Sequence, residues 1–313
     1  MAAPSSPLIA IVGPTAAGKS ALGLRLAREC FGEIVSCDSL QVYRGLDIGS
    51  AKPTAEERRL APHHLLDVVE PDQDFSAAEY ARLARAAVRD IASRGRLPIV
   101  VGGTGLYLRA LLSGLFEGPG RDEALRRRFE AIADRFGDAR LHRLLRSVDP
   151  GAAGRIQVRD RVRVVRALEV YWSTGRPLTD HHRGGPEPLR GFRVFVVGVA
   201  PDRGTLRARV EARTGDMLAR GLLAEVRGLL GRGYSRSLRP LNAIGYRQAV
   251  AVVLGERPLA DARHDMVVAT MRYAKRQMTW FRRQGPGERP VDWQVDGESA
   301  HATVMAWLDR TER

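Results

Sequence analysis

Residues 8–20, LIAIVGPTAAGKS, constrain the fold more than any other stretch of the chain. Residues 8–12 are an apolar, β-branched run, which reads as a short buried strand. Gly13, Pro14, Thr15, Ala16, Ala17, Gly18, Lys19 and Ser20 follow with the spacing G-x-x-x-x-G-K-[ST]. The next segment, ALGLRLARE, carries Leu22, Leu26 and Ala27 at helical spacing. Strand, glycine-rich loop and helix in that order is the context a phosphate-binding loop requires. Gly13 and Gly18 permit backbone angles that let successive N–H groups converge on oxygens. The helix points its positive end at the same place. Lys19 adds a point charge, and Ser20 offers a hydroxyl to Mg²⁺.

Basic-residue usage agrees. Only three of the 50 Lys and Arg residues are lysine: Lys19, Lys52 and Lys275. Against that arginine background, a retained lysine marks a place where a compact ammonium serves better than a planar fork. The net charge of +14 favours a polyanionic partner, nucleic acid before membrane. A length of 313 residues with 44% hydrophobic content allows one large domain, or one domain with an insertion, around a real core. No apolar run approaches a membrane-spanning length, and the start, MAAPSSP, has no signal-peptide core. A cytoplasmic protein without a membrane partner is expected. Cys30 and Cys37 are the only cysteines, which excludes a disulfide framework and zinc spacing.

Residues 33–38 read as a second strand ending in Asp38, and ligands of open α/β sheets sit at the carboxyl ends of strands. Asp38 is therefore expected near the phosphate loop. His63-His64 points apart on any regular element and has no third ligand at metal spacing. The pattern S-x-x-E at 76–79 is a capping box for a helix running to about residue 94. Residues 97–101 are a further buried strand, entering Gly102-Gly103-Thr104-Gly105 and the helical LYLRALLSGL. That second glycine turn is either another anion-facing helix start or a tight turn with no ligand. Neither turn contains G-x-G-x-x-G, so a Rossmann dinucleotide site is excluded.

Around 116–120 the alternation stops, and 121–183 reads as helical and densely basic. Val158, Val162, Val165, Leu168 and Trp172 are expected as one stripe, with Arg155, Arg159, Arg163 and Arg166 as its neighbour. The basic stripe suits a nucleic-acid backbone or plain solvent. A strand at 193–199 resumes the α/β pattern, and helices follow at 204–232. A long helix at 265–284 mixes Arg272, Lys275, Arg276, Arg282 and Arg283 with Tyr273, Trp280 and Phe281. Such a mix serves RNA, or an ordinary core. A last strand is expected at 291–295. The expected division is a core of 1–118 and 189–313 around a helical insertion of 119–188.

Seven stretches together resemble the tRNA dimethylallyltransferases, also called tRNA isopentenyltransferases, of the bacterial type. They are GPTAAGKS (13–20), SCDSLQVYRGLDIGSAKP (36–53), PHHLLD (62–67), VGGTGLYLRALLSG (101–114), VRVVRALEV (162–170), AIGYRQ (243–248) and AKRQMTWFRR (274–283). The phosphate loop alone is widely shared; its combination with DSLQVY, GGTGLY and KRQMTWFR in this order is specific. The resemblance spans almost the whole chain. It implies an α/β fold, a P-loop NTPase-like parallel-sheet core with an inserted helical domain. The implied reaction moves a dimethylallyl group from dimethylallyl diphosphate to N6 of the adenosine 3′-adjacent to the anticodon, in tRNAs reading codons that begin with U.

Carried onto this chain, the resemblance has Gly13, Pro14, Thr15, Ala16, Ala17, Gly18, Lys19 and Ser20 hold the diphosphate, with Mg²⁺ at Ser20. Asp38 is the base at the adenine amine, and Thr104 stands with it in catalysis. Ser39, Leu40 and Gln41 lie beside the tRNA, which Thr104 and Arg126 also touch. Val162, Arg163, Val164, Val165 and Arg166 form one further tRNA segment. Asn242, Ala243, Ile244, Gly245, Tyr246 and Arg247 form another. The last comprises Lys275, Arg276, Gln277, Met278, Thr279, Trp280, Phe281 and Arg282. The implied partners are the tRNA anticodon stem-loop and dimethylallyl diphosphate, met by a monomer. The zinc finger of the eukaryotic branch cannot be built from two cysteines. The alternative, a small-molecule kinase using ATP, explains the loop but leaves the basic insertion and the basic aromatic helix idle. A non-catalytic RNA-binding module leaves residues 13–20 without a purpose.

Overall fold

The computed structural model describes residues 5–116, 118–183, 187–285 and 289–310. Residues 1–4 of the start and Glu117 of the break at 116–120 lie outside the described residues. Contacts divide the chain into two compact units, Met1–Ser113 with Leu189–Arg313, and Gly114–Pro188.

The first unit is built on six strands: β1 (Ser6–Val12), β2 (Gly32–Cys37), β3 (His63–His64), β4 (Leu97–Gly102), β5 (Phe192–Val199) and β6 (Asp292–Gln294). They form one sheet in the order β3-β2-β4-β1-β5-β6, with every pairing parallel. β1 is the central strand, aligned with Ile9 beside Ile99 of β4 and Phe195 of β5. Because strand side chains alternate, β1 feeds both faces. Leu8, Ala10 and Val12 enter one core, Ile9 and Ile11 the other. Each is essentially unexposed, and burial of the Leu, Val and Ile side chains contributes about 1.5–3 kcal/mol apiece.

In chain order the helices are α1 (Lys19–Glu29), α2 (Ala55–Leu60), α3 (Ala77–Ser93), α4 (Gly105–Ser113), then α5 (Glu123–Phe136), α6 (Asp138–Val148), α7 (Pro150–Arg155), α8 (Arg161–Thr174) and α9 (Leu178–Arg183) of the second unit. The chain returns through α10 (Arg203–Ala219), α11 (Leu222–Gly231), α12 (Tyr246–Val253), α13 (Leu259–Gln284) and α14 (Gly297–Asp309). α1 and α14 cover one sheet face; α3, α4, α11, α12 and α13 supply the core of the other. α3 starts as expected, with the Ser76 hydroxyl accepting the Glu79 N–H at 3.1 Å. α13 begins at Leu259, six residues before the expected 265, directly after Pro258 at its N-cap.

Sheet order positions the site. β2, β4 and β1 are adjacent, so the residues after each strand's carboxyl end meet at one edge. Those residues are Asp38, the Gly103-Thr104 turn and the loop at 13–20. Gly13 turns the chain out of β1 at φ +138°, where a Cβ would stand 2.3 Å from the Val199 carbonyl oxygen.

In the second unit the expected stripes do not form. α8 starts only at Arg161, where the Asp160 carboxylate caps the Arg163 N–H, so Val158 and Arg159 precede the helix. The inward face is Val164, Val165, Ala167 and Leu168, packed with Phe129, Leu141 and Leu145. Val162 is 74% exposed. Glu169, with no exposed surface, accepts both ends of the Arg126 guanidinium at 2.8 and 2.9 Å and that of Arg166 at 2.7 Å. A buried carboxylate needs such partners to remain charged.

Candidate active site

The loop at 13–20 wraps the start of α1. Gly18 stands at the helix N-cap with φ +99°, and Ala16 holds the left-handed region at φ +62°. That conformation costs a residue with a Cβ energy and is retained where geometry is required. The first-turn N–H groups of α1 have no intrahelical partner and face the loop. Lys19 Nζ donates to the Pro14 carbonyl at 2.6 Å. Enclosure of that ammonium, with the Arg213 guanidinium beside it, lowers its pKa to about 8, against the opposing pull of Asp38.

α10 brings two arginines that sequence reading left without a role. Arg213 donates to the Thr15 hydroxyl at 3.2 Å, and Arg209 to the Ala17 carbonyl at 3.1 Å. The four-residue spacing puts both on one helix face, a signal present in the sequence but silent until α10 was placed over the loop.

Asp38 leaves β2 into a turn that it holds itself: Oδ1 accepts the Leu40 N–H at 2.8 Å and the Gln41 N–H at 3.4 Å. Thr104 closes the turn from the other side. Its Oγ1 accepts the Ser39 N–H at 3.1 Å, and its own N–H donates to the Cys37 carbonyl at 3.2 Å. Burial pushes the Cys37 thiol up to about 12, which leaves it inert beside Asp38.

Two cavities open here. One of about 130 Å³ is lined by Lys19, Ser20, Gln41, Gly102, Gly103 and Gln277 among others. The other, of about 490 Å³, is mostly apolar and aromatic, with Leu40, Tyr43, Phe75, Tyr107, Met217 and Met266 in its wall. Thr15, Asp38, Ser50, Arg213 and Tyr273 line both. Burial raises the phenol pKa of Tyr43, Tyr107 and Tyr273, so all three stay neutral at ordinary pH.

The tRNA assignments divide by burial. Leu40, Asn242, Ala243, Ile244 and Gly245 line the larger cavity, as does Arg276 over the Tyr273 ring at 5.7 Å. Arg163, Arg247, Lys275, Thr279 and Arg282 are exposed, and Met278 is half-buried. Val164, Val165, Tyr246 and Phe281 correct the expectation, because core side chains do not reach RNA, and the remaining positions are described by their own contacts. Val164, Val165 and Phe281 are core residues with at most 3% exposure. Tyr246 is fully enclosed, and its hydroxyl donates to Glu225 at 2.6 Å. Gln41 spends its amide inside, accepting from Ser36 and donating to the Ala51 carbonyl. Gln277 is 6% exposed, and Trp280 packs on Gly105, where a Cβ would meet the indole at 2.2 Å. Arg126 and Arg166 are spent on Glu169. In each case the sequence shows the residue type, while the face it occupies depends on what packs against it.

Lys52 is a loop anchor. Its ammonium, 1% exposed, donates to the Tyr43 carbonyl at 2.7 Å and to Asp47 and Asp67 at 2.6 Å each. His64 pairs with Glu33 at 2.7 Å, and the described residues hold no cluster of three or more His, Cys, Asp or Glu fit for a metal.

A parallel α/β sheet with a phosphate loop after its central strand, opening into a largely apolar pocket with one carboxylate at the junction, defines a P-loop-like α/β protein. The model of the IPP transferase family matches residues 41–284. The chain belongs to the IPP transferase family. A tRNA dimethylallyltransferase of Solibacter usitatus is 49% identical over 307 residues, 98% of each chain. That of Geobacter metallireducens is 50% identical, over 88% of this chain and 89% of its own. The solved tRNA isopentenylpyrophosphate transferase of Bacillus halodurans superposes with a TM-score of 0.69 at 37% identity, over 98% of both chains. A eukaryotic dimethylallyltransferase acting on tRNA gives 0.79 at 27% identity, over 96% of this chain and 78% of that one. These relatives are transferases by name, and the kinase alternative is set aside.

Proposed function

We propose that this chain transfers a dimethylallyl group from dimethylallyl diphosphate to N6 of the adenosine 3′-adjacent to the anticodon, in tRNAs reading codons that begin with U, releasing diphosphate. The observation that carries this reading is the pair of cavities joined at Asp38 and Arg213. A prenyl diphosphate has a charged head and an apolar tail, and the two cavities match those halves. The larger one also exceeds what five carbons fill, leaving room for a purine entering beside Asp38.

As the allylic C–O bond breaks, charge builds on the leaving diphosphate. Loop N–H groups, Lys19 and Arg213 are preset to meet it. The acceptor amine becomes cationic as the C–N bond forms, and Asp38 is placed to take its proton. The Thr104 hydroxyl, while accepting from Ser39, keeps its own hydrogen for a second contact. Neutral aromatic walls exclude water from an electrophilic carbon. Ser20, on the smaller cavity, offers a hard oxygen donor suited to Mg²⁺ shared with diphosphate and water rather than caged by protein. When bound, that ion would neutralise charge on the leaving group. Among the described residues no helix is long and apolar enough to cross a membrane. Action on tRNA in the cytoplasm fits that observation.

The deciding experiment is mass analysis of nucleosides from unmodified tRNA incubated with dimethylallyl diphosphate and Mg²⁺. N6-dimethylallyladenosine next to the anticodon is expected, formed without ATP because the donor already carries its leaving group. A strict requirement for ATP hydrolysis would overturn the reading.

Exposed arginines are expected to hold the tRNA backbone. Arg163, 61% exposed and 3.4 Å from Asp160, should lower the salt slope of tRNA binding by roughly one unit when changed to alanine. Turnover at saturating tRNA should stay the same. A tRNA affinity and slope equal to the parent's would show that Arg163 only solvates its helix.

A further inference from the structure

Gln277 sits mid-helix on α13 with both ends of its amide engaged by other segments. Oε1 accepts the Thr15 N–H at 2.9 Å, and Nε2 donates to the Gly103 carbonyl at 3.0 Å. One side chain therefore spans from the loop after β1 to the turn after β4. The two segments serve opposite reactants. The loop faces the diphosphate, while the turn carries Thr104, which fixes the Ser39 N–H next to Asp38. A primary amide suits the bridge because it offers an acceptor and a donor at fixed spacing. Position 103 is matched to it: a Cβ there would lie 2.1 Å from Gln277 Nε2.

We propose that Gln277 is a positioning residue that sets the spacing between the diphosphate loop and the Asp38–Thr104 turn, and with it the distance across which the transferred carbon meets the acceptor nitrogen. This rests on the transferase reading above. It differs from a role in holding tRNA, since the side chain is enclosed and neither of its bonds leaves the protein. The loop also carries the diphosphate's N–H donors, so loosening its Thr15 end weakens anion binding as well as alignment.

Three variants test it. Gln277→Leu removes both bonds. Gln277→Glu keeps the acceptor for Thr15 and loses the donor to Gly103. Gly103→Ala crowds the amide while leaving residue 277 unchanged. Turnover at saturating donor and tRNA is expected to fall roughly tenfold to 10²-fold in Gln277→Leu, the scale of a misplacement of about 1 Å. The Kd for tRNA should stay within about twofold, since both partners of the bridge are backbone groups of this chain. Gly103→Ala combined with Gln277→Leu should cost no more than the worse single change, because both break one interaction.

A raised tRNA Kd with unchanged saturated turnover would overturn the proposal in favour of an RNA contact. Lowered thermal stability with full turnover per folded molecule would overturn it in favour of plain packing. Strict additivity in the double variant would also sink it. Binding of inorganic pyrophosphate without tRNA separates this inference from the transferase reading. A parent protein that makes no prenylated product refutes that reading. In that case weaker pyrophosphate binding in Gln277→Leu and Gly103→Ala still supports the bridge, and parental affinity in both rejects it.

Discussion

Asp38→Asn should lower kcat by about 10²–10⁴-fold, the usual contribution of a positioned general base, with little change in the affinities for dimethylallyl diphosphate, Mg²⁺ and tRNA. The exocyclic amine of adenine is a weak nucleophile because its lone pair is delocalised into the ring. A proton must leave as the C–N bond forms. Asparagine keeps the size of the side chain and an oxygen for the Leu40 and Gln41 N–H groups that Asp38 Oδ1 now accepts, so the turn should survive. What it cannot do is take the proton. A carboxylate whose sole task was to hold Mg²⁺ would behave differently: the metal requirement would rise and excess Mg²⁺ would restore part of the rate. Parental turnover at saturating substrates would remove Asp38 from the chemistry.

Lys19→Met should weaken dimethylallyl diphosphate binding by roughly 10–10²-fold, the value of a charge-assisted hydrogen bond, and slow transfer by a further factor of about 10²–10³ as leaving-group charge goes unmet. The pH dependence identifies the cause. In the unliganded protein, burial and Arg213 hold the Lys19 pKa near 8. Bound diphosphate places negative charge beside the ammonium and raises that pKa. Below about pH 8 the lysine is already protonated, and affinity should be flat with respect to this group. Above that value binding must take up a proton, so Kd should rise about tenfold per pH unit until the pKa of the complex is reached. The donor's own ionisation is complete below that window. Titration of Kd between pH 7 and about 10, by calorimetry without tRNA, checks both the bend and its loss in Lys19→Met. A parental curve without a bend would show that Lys19 is protonated throughout.

The chain's local patterns were enough for much of this protein. An apolar run of five residues before G-x-x-x-x-G-K-S is a buried strand and a phosphate loop because each requirement is met within a few neighbouring residues. Asp38 at a strand end and the glycine turn at 102–105 were legible on the same ground, and parallel order β2-β4-β1 then brought all three to one edge. What tertiary structure alone decided is which side of a helix is inside. α8 and α13 are both rich in arginine and apolar residues, and composition cannot say which arginine is paired. Arg166 is spent on Glu169 while Arg163 stays exposed, because Asp160 caps α8 and the helix turns Val164, Val165 and Leu168 inward. Gln277, which the resemblance sets beside tRNA, is enclosed because α13 lies across two glycine turns whose backbone groups need a partner. Arg209 and Arg213 gained their place only when α10 was laid over the loop, nearly 200 residues away in sequence. Contacts of that kind depend on long-range packing, and no local pattern encodes them.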